Sequence, residues 1–105
     1  MKEIKAFIHR NRVSDVVHEL KQAGYEYISV IDVLGLLKAI SSQEQQYSVD
    51  LGTKVVSEIK LELVCDDHQL DDAIDIISRE GRTGQITAGW IYVTEVVQAI
   101  RVDNA

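Results

Sequence analysis

The sequence predicts an α+β domain: a four-stranded antiparallel sheet with two helices on one face. Three observations carry that prediction. In separate short segments apolar residues alternate with polar ones, the period of a half-buried strand. Two other segments repeat apolar residues at helical spacing. The segments run in the order βαββαβ, so each half is a strand, a helix closed by glycine, and a strand. At 105 residues the chain is expected to form one domain, residues 1–105.

Residues 1–8 place Ile4, Ala6 and Ile8 on one face and Lys5 and Phe7 on the other. HRNR interrupts that alternation. Val13, Val16, Val17, Leu20 and Ala23 then share one face of a helix, with Ser14 as the predicted N-cap, Asp15 in the first turn and Gly24 as the C-cap. Residues 25–35, YEYISVIDVLG, are β-branched and aromatic and predict a strand with a turn at Gly35. In KVVSEIKLELV, Ile59, Leu61 and Leu63 alternate with Glu58, Lys60 and Glu62, a strand with one wet face. Asp66 or Asp67 caps a second helix. Leu70, Ala73, Ile74 and Ile77 form its buried face, Asp71, Asp72 and Asp75 its wet face, and Gly81 ends it. WIYV predicts the fourth strand, and TEVVQAIRV a further turn and edge strand.

This order is the ferredoxin-like split βαβ pattern. Right-handed crossovers place both helices on one face of the sheet. The opposite face, with Phe7, Tyr27 and the alternating face of the third strand, is left to be covered, and oligomerisation is the usual way to cover it.

Composition narrows the function classes. A hydrophobic content of 46% and a charged content of 27% fit a soluble globular protein. No apolar run nears the roughly 18 residues of a membrane span, and MKEIKAFI lacks the apolar region of a signal peptide. The single cysteine, Cys65, excludes an internal disulfide and suits a reducing, cytoplasmic setting. The formal net charge of −6 argues against nucleic acid as a partner, because cation–phosphate contacts dominate such binding. The chain has no proline, so Gly, Asn, Asp and Ser must make its turns.

Residues 36–54, LLKAISSQEQQYSVDLGTK, have no sustained period. Links between elements are typically ~4–6 residues, and much longer ones are usually functional or disordered. This link reads either as a solvated hairpin extension or as a partner-binding arm that orders in a complex. A second unusual stretch is EGRTGQITAGWIYV, Glu80–Val93, with Gly81, Gly84, Gly89, two threonines and Arg82. Such turns often wrap a phosphate. Cys65, Asp66, Asp67 and His68 suggest a metal only weakly, since consecutive residues rarely converge on one ion. They read more simply as a strand end and a helix cap. His9 reads as a turn residue and His18 as an exposed helix residue. No motif pairs a nucleophile with a base, and no Walker or dinucleotide fingerprint is present, so no enzyme is expected.

With these elements in place, the chain resembles the PII family of signal-transduction proteins over nearly its whole length. The family carries a motif close to TGKIGDGKIFV after its second helix, matched here by TGQITAGWIYV, Thr83–Val93. Val13-Ser14-Asp15-Val16, Asp66-Asp67 and Arg101-Val102-Asp103 match further family stretches. The resemblance implies a ferredoxin-like homotrimer with a long T-loop, about residues 36–54, between strands two and three. It implies a regulator that contacts a protein target, such as a membrane transporter, through that loop. It also implies an adenine-nucleotide cleft between subunits.

Carried over residue by residue, the cleft comprises Ser29, Gly35, Lys38, Val64, Thr83, Gly84, Gly89, Trp90 and Arg101. Ser29 stands for a threonine and Lys38 for an arginine. Other positions depart further. A glutamine that serves magnesium and 2-oxoglutarate is Ala39, and lysines are Glu58 and Trp90. The motif's aspartate is Ala88, one of its glycines is Thr87, and the second C-terminal arginine is Asp103. The tyrosine modified in some members falls at Leu51, with Tyr47 nearby.

A triphosphate carries about four negative charges, and burying it requires paired cations. Each lost charge-assisted hydrogen bond costs ~1.5–3 kcal/mol. Magnesium-ATP with 2-oxoglutarate is therefore not expected to bind in the family's usual way. AMP, ADP or cyclic AMP is the ligand class left open, using the Thr83–Gly89 backbone and Arg101. Trp90 either stacks on a base or plugs the site. The alternatives are a CutA-like metal-binding protein of the same trimeric build and a trimer with no small ligand.

Overall fold

The computed structural model describes residues 1–32, 58–84 and 88–103. Strand β1, Lys2–His9, leads through a 3₁₀ turn, Arg10–Arg12, into helix α1, Val13–Gln22. Strand β2 is Ile28–Asp32 and β3 is Glu58–Cys65. A second 3₁₀ turn, Asp67–Gln69, opens helix α2, Leu70–Glu80, and β4 is Gly89–Glu95. The sheet order is β2-β3-β1-β4 and every pairing is antiparallel. This is the βαββαβ architecture that the periodicities predict.

Alternation decides which face of the sheet is buried. Ile4, Ala6 and Ile8 of β1 join Leu61, Leu63 and Cys65 of β3 beneath Val16 and Leu20 of α1 and Ala73, Ile76 and Ile77 of α2. Both helices therefore lie on one face. Ile4, Leu20 and Leu61 have no exposed surface, and burying each such side chain stabilises the fold by about 1.5–3 kcal/mol. Directly opposed pairs, Ile4 with Leu63 and Ala6 with Leu61, set the register. A slip by one residue would drive Lys5 and Phe7 into the core.

Several local expectations change. Ser14 does not cap α1. The Arg10–Arg12 turn runs straight into the helix, Arg12 takes the cap position without a side-chain bond, and Ser14 sits inside the first helical turn. At the other end Gly24 closes α1 as expected. Its φ is +97°, its N–H donates to the Lys21 carbonyl, and the Tyr25 N–H donates to the Leu20 carbonyl, each at 3.0 Å. That pair of bonds is a Schellman motif, which needs a left-handed residue at this point. Ala23, expected in the buried stripe, is exposed at this cap. In α2, Ile76 is buried and Ile74 is only half-buried, so the helix face is turned slightly from the predicted one. Asp66 does open the second 3₁₀ turn, and its N–H donates to the Gln69 side-chain oxygen at 3.0 Å. No strand follows β4 among the described residues 96–103, where the Val96 N–H donates to the Met1 carbonyl at 3.1 Å. The predicted long link, residues 36–54, lies outside the described residues.

The second strand begins at Ile28 rather than at residue 25 because Tyr25 turns inward. Its ring is 7% exposed, and its hydroxyl donates to Asp72 Oδ2 at 2.9 Å and lies 3.0 Å from the Gln69 carbonyl. Tyr25 thus pins the α1–β2 connection to the start of α2. Burial first, and the Asp72 carboxylate second, push its phenol well above the ordinary value. The folded value is raised, so this contribution is complete below the unfolded value of about 10 and is lost as pH rises past the folded one. Tyr25→Phe is expected to lower stability by about 0.5–1.5 kcal/mol in urea unfolding. In an ultraviolet titration of the wild type, one tyrosine should ionise only as the protein unfolds. That late phase should be missing from Tyr25→Phe.

Candidate functional site

The glycine-rich stretch forms the passage from α2 to β4. The Gly81 N–H closes the helix by donating to the Ile77 carbonyl at 2.8 Å. Arg82 and Gly84 are exposed, Thr83 is half-buried, and Gly84 has φ +84°. Strand β4 then starts at Gly89, directly opposite Ile8. Gly89 has φ +153°, and a Cβ there would lie 2.0 Å from the Phe7 carbonyl oxygen. Only a hydrogen fits, so glycine is what lets β4 begin flush against β1. Between the helix end and the strand start lies a cavity of about 140 Å³ lined by Ile8, Ile77, Gly81, Arg82, Gly89 and Trp90. Trp90 is 59% exposed and pairs with Phe7 on the face away from the helices. Phe7 also meets Tyr92 edge to face, with ring centroids 6.1 Å apart.

A second region lies on β2 and β3. Ser29 is exposed opposite Glu62, and Val64 is exposed opposite Glu3. They border a cavity of about 400 Å³ together with Glu3, Glu26, Tyr27 and Glu62. Tyr27 is 84% exposed. Lys60 Nζ is 2.8 Å from Glu62, and that hydrogen bond holds the Glu62 carboxyl below the usual carboxylate range. The described lining therefore presents three carboxylates and no lysine or arginine.

The other predicted residues are placed as follows. Arg101 is exposed in the tail and is ion-paired with Asp103, so part of its charge is already compensated. Gly35 and Lys38 lie outside the described residues. Ser29 and Gly89 sit on opposite edges of the sheet, three strand spacings apart, or roughly 14 Å. One chain thus sets Gly89 and Trp90 beside Gly81 and Arg82 and keeps them from Ser29 and Val64. Sequence reasoning did not find Glu26 and Glu62 as neighbours of Ser29. Glu62 was legible only as a wet-face residue, because the row it shares with Ser29 is a property of strand pairing.

Among the described residues, carboxylates line the larger cavity, Arg82 and Trp90 border the smaller one, and Arg101 is ion-paired with Asp103. The residues first considered for a metal have structural occupations. Cys65 is buried, and that burial pushes its thiol up, while Asp66 caps the start of the second 3₁₀ turn. Asp67 accepts from the Met1 ammonium at 2.6 Å, which lowers its carboxyl.

Comparison with known proteins agrees with this architecture. A family model described as nitrogen regulatory protein P-II matches residues 1–105. The chain is 30% identical to nitrogen regulatory protein P-II 1 of Methanothermobacter thermautotrophicus, covering 97% of this chain and 89% of that protein. It is 28% identical to nitrogen regulatory protein GlnK of Escherichia coli K12, covering 97% and 91%. Among solved structures, that of Arabidopsis thaliana PII bound to citrate matches with a TM-score of 0.72 and 28% identity. That match covers 97% of this chain and 82% of the other.

The backbone contact at Gly89 is open to test. Gly89→Ala should cost about 2 kcal/mol or more, since the methyl group meets a backbone carbonyl rather than a flexible side chain. Hydrogen exchange should speed up first at the start of β4, with the β1–β3 amides still protected.

Proposed function

This chain belongs to the nitrogen regulatory protein P-II family, and on that premise we propose that it is a non-catalytic, cytoplasmic homotrimeric regulator with an altered intersubunit cleft. Two halves of that cleft come from different subunits. One half is Ser29 and Val64 with the cavity beside Tyr27. The other is the Thr83–Gly89 turn with Trp90 and Arg101. The observation that supports this reading is the separation of the two halves on opposite edges of one sheet, so that a complete cleft takes one half from each of two copies. The uncovered sheet face supports it as well. Trp90, Tyr92, Val64 and Tyr27 are each 44% or more exposed in a single chain, and together with Phe7 they offer apolar surface for packing between copies.

The ligand follows from the charges. A triphosphate with magnesium needs several converging cations, and the positions that would supply them hold Glu58, Trp90 and Asp103. A less charged adenine nucleotide, AMP, ADP or cyclic AMP, places one or two phosphates on the turn's backbone and its base against an aromatic side chain. The residues between β2 and β3 then serve as the T-loop and contact a target protein, with a membrane transporter as the leading class. The family assignment favours this reading over a CutA-like metal protein.

Two measurements test it. Sedimentation should give a mass three times the 11.8 kDa of one chain, and calorimetric titration should detect AMP, ADP or cyclic AMP binding without magnesium. Micromolar ATP binding that depends on magnesium and 2-oxoglutarate would refute the altered-cleft reading. Deleting residues 36–54 should abolish capture of membrane-transporter partners in a pull-down while leaving the trimer intact. Partners retained by the deleted protein would exclude the loop as the contact.

A further inference from the structure

Four segments meet at one end of the sheet. Asp32, Ile59, Ile8 and Gly89 form a single row across it, so the end of β2, the start of β3, the end of β1 and the start of β4 lie side by side. The 3₁₀ turn Arg10–Arg12 continues β1 at this end. Its two arginines reach in different directions. Arg10 makes a two-pronged ion pair with Asp32, at 2.9 and 2.7 Å, spanning from the end of β1 to the last residue of β2. Arg12 turns toward α2, where its Nε–H donates to the Glu80 backbone carbonyl at 2.7 Å. Its terminal nitrogens lie 3.0 Å from Asp15 and 3.8 Å from the Glu80 carboxylate.

Glu80 is the last residue of α2, and its carbonyl is one of those that a helix leaves without an internal partner. A cation at this end also suits the helix dipole. The next two residues, Gly81 and Arg82, line the cavity that Gly89 and Trp90 close from the other side. The direction in which the chain leaves α2 therefore sets the width of that cavity. An exposed ion pair would contribute little. The Arg12 side chain is only 30% exposed, and it holds a backbone group through a charge-assisted bond whose direction the planar guanidinium dictates.

We propose that Arg12 is a positioning residue for the exit from α2: by holding the Glu80 carbonyl it sets Gly81 and Arg82 at a fixed distance from Gly89 and Trp90 across the cavity. Arg10 does the corresponding work at Asp32, so the short turn ties down the last residue of β2 and the last residue of α2. The ligand-binding consequence rests on the cleft assignment made above. The positioning itself does not.

The test uses the full chain without ligand. Trp90 is the single tryptophan and borders the cavity, so its emission serves as one reading beside amide exchange at the end of α2. Arg12→Gln is expected to shift the Trp90 emission and to speed amide exchange at Arg79–Gly81 about tenfold or more, with the far-ultraviolet spectrum unchanged. Arg12→Lys keeps a cation near Asp15 and Glu80 but lacks the directed Nε–H, and it should move both readings in the same direction. It also supplies the measurement if Arg12→Gln fails to fold. Arg10→Gln should instead speed exchange at Ile28–Asp32 and leave Trp90 emission where it was. Wild-type emission together with wild-type exchange at Arg79–Gly81 in the Arg12 variants would overturn the proposal. So would a uniform rise in exchange across β1 and β3, which would mark general destabilisation. A wild-type protein that takes no nucleotide would sink the cleft assignment and leave this inference standing.

Discussion

The central pairing of β1 with β3 is the constraint on which the rest depends. Eight residue pairs, from Lys2 with Cys65 to His9 with Glu58, hold the two strands in one register. That register puts Ile4, Ala6, Ile8, Leu61 and Leu63 on one face, and both helices follow because their apolar stripes can be buried nowhere else. It also gathers Lys5, Phe7, Lys60, Glu62 and Val64 on the other face. The two outer strands are placed by the central pair: β2 lies beside β3, and β4 beside β1.

The candidate site is a by-product of that arrangement. Because β2 and β4 are on opposite edges, the residues they carry cannot meet within one chain. In the glycine-rich passage Gly84 is left-handed and Gly89 is in close backbone contact with Phe7. Charge is distributed separately: Arg82 borders the cavity beside Gly89, carboxylates line the one beside Ser29, and Arg101 is ion-paired with Asp103. Backbone geometry depends on glycine and pairing, while charge depends on side chains, so the two are set independently.

Much of this was legible from residues alone. Strict alternation in β1 and β3 marked the core face, and the spacing Val13, Val16, Val17 and Leu20 marked α1. Errors fell where two signals competed. Ser14 looks like a cap, yet the Arg10–Arg12 turn starts the helix from its own backbone bonds. Tyr25 looks like a strand residue, yet its hydroxyl finds Asp72 and its ring finds the core. The partners of Arg10 and Arg12, at Asp32 and Glu80, lie 22 and 68 residues away in the chain, and no local pattern announces them.

By itself the sequence determined the element order, the buried face of the sheet, the glycine closing α1 and the family motif after α2. These depend on periods of two and 3.6 residues and on the conformations open to glycine, all of which are local properties. Only the tertiary structure decided which strands became edges, which side chains share a row, and which arginine answers which carbonyl or carboxylate. Those are set by strand pairing and by the direction in which helices cross the sheet. Such relations join residues far apart in the chain, and a single sequence does not record them.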